Sequence, residues 1–122
     1  IAVWANNIPE WLLIEFASAM AGLTLVTVNP GFQTRELKFV LEQSRSEGLY
    51  LVDEFRGNPM AKIAREVCAE LPAIRHVIRL TDHAALFEGA DRGRLPEIAP
   101  SDVCQIQYTS GTTGFPKGAL LH

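Results

Sequence analysis

These 122 residues hold no long apolar run, no block of like charges and no metal-spaced cysteines. Eleven Lys and Arg against fourteen Asp and Glu leave a net charge of −3, spread along the chain. Non-specific nucleic-acid binding and polybasic membrane contact both need concentrated positive charge, so both are disfavoured. The longest apolar stretch, Trp11 to Ala21, is interrupted by Glu15 and Ser18 and is too short for a transmembrane helix. The opening run Ile1 to Ala5 has no basic region before it, so it does not read as a signal peptide. Cys68 and Cys104 lie far apart and read as reduced thiols, which points to a cytoplasmic setting. What remains is an ordinary globular composition, 48% apolar and 20% charged, long enough for one domain at most.

Ile1 to Ala5 is apolar and β-prone and predicts a buried strand. Asn7 to Glu10 has capping-box spacing with Pro9 in the first turn, and a helix from about Ile8 to Ala21 follows. That helix is apolar nearly all round, so burial on all sides is expected, with Gly22 as its stop. Thr24 to Val28 predicts a second strand, and Asn29-Pro30-Gly31 a loop. A second helix carries Leu37, Val40 and Leu41 on one face and is expected to close at Gly48. Leu49 to Val52 predicts a third strand. Asn58-Pro59 is expected to cap a third helix, whose stripe is Met60, Ile63, Ala64, Val67, Cys68 and Leu71. His76 to Leu80 predicts a fourth strand, and Val103 to Tyr108 a fifth after a Gly- and Pro-rich excursion, Thr81 to Asp102. Three strand–helix alternations imply an α/β fold with a parallel sheet built from βαβ units.

The chemistry concentrates in Thr109-Ser110-Gly111-Thr112-Thr113-Gly114-Phe115-Pro116-Lys117-Gly118, which follows the fifth strand directly. Its glycines let backbone N–H groups turn inward onto an anion. The hydroxyls add donors, and Lys117 adds a compact positive charge. Together they suit a polyphosphate. The order is not that of a Walker loop, which needs Gly-Lys followed by Ser or Thr. Composition alone would also allow a plain Ser/Thr/Gly turn between two strands. Other polar residues suggest less. His76 and His83 read as structural or solvated, Asp53, Glu54 and Asp91 as loop carboxylates, and Ser110 has no base nearby in sequence.

The ordered run Tyr108 to Gly118 resembles the signature loop of the adenylate-forming superfamily, which includes acyl-CoA synthetases, luciferases and peptide-synthetase adenylation domains. Ala19 to Leu23, Val28-Asn29-Pro30 and Glu36-Leu37 are similar to that family's upstream helix, strand and loop. The opening Trp4 to Trp11 is most like acyl-CoA synthetases. The resemblance implies that Thr109, Ser110, Gly111, Thr112, Thr113 and Gly114 wrap the β- and γ-phosphates of ATP, that Lys117 helps neutralise them, and that Gly118 to Leu121 return as a strand. It further implies Mg2+, a fatty or aryl carboxylic acid as substrate and coenzyme A as acyl acceptor. Residues 1–122 would then be part of an N-terminal AMP-binding domain, without the C-terminal domain, and with no catalytic residue of their own. An adenylation domain that loads an amino acid onto a carrier protein, and a non-catalytic nucleotide-binding module, are the competing readings.

Overall fold

The computed structural model describes residues 1–89, 93–109 and 116–122. Strand β1 (Ala2–Trp4) leads into helix α1 (Pro9–Met20), then β2 (Leu25–Val28), α2 (Thr34–Gln43), β3 (Gly48–Leu51), α3 (Met60–Ala69) and β4 (His76–Arg79). A short helix α4 (His83–Phe87) precedes β5 (Gln105–Thr109) and β6 (Lys117–Leu121). The six strands form one sheet in the order β4-β3-β1-β2-β5-β6. All neighbours are parallel except β5 and β6, which pair antiparallel. The expected parallel α/β architecture is therefore present.

β1 lies between β3 and β2, and all three of its residues are inaccessible to solvent. A strand buried on both pleats must be covered on both faces. The right-handed crossover rule supplies the covers: β1 to β2 and β2 to β3 step in opposite directions, so α1 falls on one face and α2 on the other. α3 joins α2, and Leu37, Val40, Leu41, Met60, Ile63, Ala64 and Val67 point from these two helices into the core. The helical periodicity of both segments located this stripe.

The all-round burial expected for α1 does not occur. Trp11 and Ile14 pack on the core and Ser18 is buried, whereas Leu12, Leu13, Phe16 and Met20 are exposed, Phe16 at 62%. A helix has two sides, and the sheet covers only one of them. No side chain caps its start: Ile8 holds the N-cap position and Pro9 the first turn, so the Asn7 capping box is not formed. Its end does use Gly22, at φ +68, with Leu23 N donating to Ser18 O (2.8 Å) and Gly22 N to Ala19 O (3.1 Å). This is the Schellman arrangement, which favours glycine at that left-handed position.

Three smaller expectations are also corrected. α2 closes at Ser44, with Arg45 turning at φ +54, and Gly48 instead opens β3. Asn58 does not cap α3. Its buried amide donates to Pro30 O (2.8 Å) and Phe32 O (3.0 Å) and accepts from Gln33 Nε2 (3.0 Å), tying the loop after β2 to the loop after β3. Asp53 is not a free loop carboxylate: it pairs with Arg79, and its other oxygen, Oδ1, is buried without a partner.

A candidate phosphate-binding hairpin

Because β5 runs parallel to β2, its last residue, Thr109, stands at the carboxyl edge of the sheet. β6 runs the opposite way, so its first residue, Lys117, arrives at the same edge. The two face each other in the antiparallel register. Ligands of open α/β sheets bind at this edge. Both residues are exposed, and Thr109 Oγ1 reaches Lys117 O at 3.5 Å, long for a hydroxyl donor and so easily released to a ligand. Lys117 makes no ion pair among the described residues. Ser110, Gly111, Thr112, Thr113 and Gly114 lie outside the described residues, as does Asp91.

The sequence reading missed the support behind this hairpin. Tyr108 stands opposite Gly118, and its hydroxyl donates to Gln43 Oε1 at the end of α2 (2.9 Å). Burial pushes the Tyr108 phenol up from its ordinary range, so it remains a donor at neutral pH. Nothing in sequence spacing could join Gln43 to Tyr108. Glycine at 118, directly after the lysine, was the visible trace.

Other parts of the chain form clefts as well. One, of about 480 Å³, opens between the loops after β2 and β3 and is lined by Asn29, Gln33, Phe55, Arg56 and Asn58. It does not reach Thr109 or Lys117. The hairpin brings one hydroxyl residue, Thr109, and one cationic residue, Lys117, to the same edge of the sheet. His83 sits on α4 and bonds Glu10 of α1 (2.8 Å), a surface link rather than a site. Cys68 and Cys104 are free thiols, and burial raises the Cys68 thiol above its ordinary range. No three His, Cys, Asp or Glu side chains converge among the described residues. No helix is long and apolar enough to cross a membrane among the described residues.

The chain matches the AMP-binding enzyme family over residues 1–122. YngI of Bacillus subtilis strain 168, provisionally named an acyl-CoA synthetase, is 32% identical across 99% of this chain and 27% of its own length. The mitochondrial medium-chain acyl-CoA ligase ACSF2 of Mus musculus is 31% identical across 99% of this chain and 24% of its own. The inhibitor-bound N-terminal domain of FACL13 from Mycobacterium tuberculosis superposes with a TM-score of 0.82 at 25% identity, over 98% of this chain and 30% of that one. The chain thus spans about a quarter of the length of these curated relatives.

Proposed function

The chain belongs to the AMP-binding enzyme family, and from that premise we propose that it supplies the ATP-phosphate grip of an AMP-forming acyl-CoA synthetase. The observation that carries this is the hairpin that presents Thr109 and Lys117 together at the carboxyl edge of the sheet. The relatives named as acyl-CoA synthetase and ligase support the reaction class. Their identities span most of this chain but about a quarter of theirs, so the activity is assigned to the longer enzyme.

In this reading a carboxylate oxygen attacks the α-phosphorus of ATP. The bond from that phosphorus to the bridging oxygen breaks, and pyrophosphate leaves. The sulfur of coenzyme A then attacks the acyl carbon of the adenylate, and AMP departs. Lys117 counters the charge that gathers on the leaving pyrophosphate, and the Thr109 hydroxyl donates to a phosphate oxygen. Ser110, Gly111, Thr112, Thr113 and Gly114 contribute the remaining backbone and hydroxyl donors. A magnesium ion would arrive on the nucleotide itself, and no step here depends on it. A cytoplasmic location stays part of the proposal, although the mouse relative is named as mitochondrial.

The test is Lys117→Ala in the complete enzyme, followed by carboxylate-dependent exchange of pyrophosphate into ATP. A charge-assisted contact of this kind predicts a loss of roughly ten- to a hundred-fold. Unchanged exchange would remove Lys117 from the site. Acyl transfer to coenzyme A separates this reading from an adenylation domain, which would instead load a carrier-protein thiol.

A further inference from the structure

We propose that Tyr108, held between Gly118 and Gln43, is a positioning residue that sets where Lys117 meets the nucleotide phosphates. The proposal rests on the phosphate-grip reading above. β2 pairs with β5 from Gln105 to Gln107 and ends at Val28, so Tyr108 lies beyond the paired stretch and Thr109 beyond the end of β2. At its tip, where Thr109 and Lys117 sit, the hairpin is held in the sheet by the pairing of its own two strands. The Tyr108 hydroxyl adds a tie by bonding Gln43, and α2 is anchored in turn by Leu37, Val40 and Leu41.

Gly118 completes the arrangement. A Cβ placed there would stand 2.9 Å from Ile106 Cγ2 and 3.3 Å from Tyr108 Cζ. Ile106 and Tyr108 are two apart in one strand and share a face of the sheet, so both lean across the backbone of residue 118. A side chain at 118 has to displace Ile106 and crowd the Tyr108 ring, or push β6 away from β5. Lys117 is the adjoining residue, so either movement shifts its ammonium group. Misplacement of a charged donor by about 1 Å can cost about a hundred-fold in rate.

The experiment uses the complete enzyme and pyrophosphate exchange, with KM measured separately for ATP and for the carboxylic acid. Tyr108→Phe keeps the ring and loses the bond, and Gln43→Leu loses the same bond from its other end. Each is expected to raise KM for ATP by roughly two- to ten-fold, with the acid KM unchanged. Because both remove one interaction, the double variant should be no worse than either single. Gln43→Glu retains an acceptor and should bring KM for ATP back towards the parent value. Gly118→Ala should raise KM for ATP by about ten-fold or more. Should that variant fail to fold, the Tyr108 and Gln43 pair decides the matter. A rise with Lys117→Ala but none with Tyr108→Phe and Gln43→Leu overturns the positioning role and leaves the phosphate reading standing. No rise with Lys117→Ala removes the phosphate reading itself, and the positioning role with it.

Discussion

On the sheet face covered by α2 and α3, Leu37, Val40, Met60 and Val67 are sealed from solvent, at 1% exposure or less. On the other face, α1 turns Leu12, Leu13, Phe16 and Met20 outward, each more than half exposed. Both faces are rich in apolar residues, so composition does not separate them. What differs is the number of partners. α2 and α3 share one stripe each with the sheet and with one another, and show polar residues outside. α1 has apolar residues on both sides, and among the described residues its outer side stays exposed. A helix that is apolar all round is normally enclosed by further structure, and this chain spans about a quarter of the length of its relatives.

Substitutions can sharpen or break this contrast. The largest effect is expected at Leu37→Ala on the closed face, a loss of about 2–5 kcal/mol in urea unfolding. Leu13→Ala on the open face should stay within about 0.5 kcal/mol. Equal losses at the two positions would abolish the distinction. Asn58→Ala should cost about 2–3 kcal/mol by thermal melting, because it strands the Pro30 and Phe32 carbonyls that the amide now satisfies.

Leu13→Lys with Phe16→Glu should leave the melting temperature of the 122 residues unchanged while reducing their binding of an apolar dye. A clear drop in melting temperature would mean that the α1 outer side is already in use.

The smallest effect belongs to the Lys38–Glu70 pair (2.6 Å), which ties α2 to the end of α3. The hydrogen bond and charge of Lys38 lower the Glu70 carboxyl, and Glu70 raises Lys38. The depressed carboxyl contributes stability above its unfolded value near 4.5, lost as pH falls through the folded value. The raised ammonium contributes below its unfolded value near 10.5, lost as pH rises through the folded one. Between those limits Lys38→Met should lower the melting temperature barely measurably, as expected of an exposed pair. Once pH falls below the depressed Glu70 value, the variant and parent should coincide.

The closed face was legible in the sequence because it is written in local periodicity. Leu37, Val40 and Leu41 recur at helical spacing, as do Met60, Ile63, Ala64 and Val67, and each set is buried as expected. The parallel sheet followed from strand–helix alternation. The candidate phosphate residues stand in the sequence as one ordered phrase, and the structure sets two of them, Thr109 and Lys117, face to face. The open side of α1 was not legible, since periodicity reports how apolar a surface is and not what is available to cover it. Asn58 stood where a cap was expected, but the unpaired carbonyls of a neighbouring loop, far off in sequence, took its amide. The Gln43–Tyr108 bond joins residues 65 apart, and such pairs are set by topology alone.

The sheet order also fixes a sequence of assembly. β1, β2, β3 and β4 meet through connections of modest length, whereas β5 finds β2 only after Leu25 meets Gln105 across most of the chain. Loop closure grows more costly with separation, and distant pairings form late. The β5–β6 arm therefore docks last, onto a platform already made. φ-values should be high for Val3 and near zero for Ile106. The segment that would grip ATP is thus expected to dock after the rest, and a slow final folding phase, if observed, would report on the hairpin and not on the core.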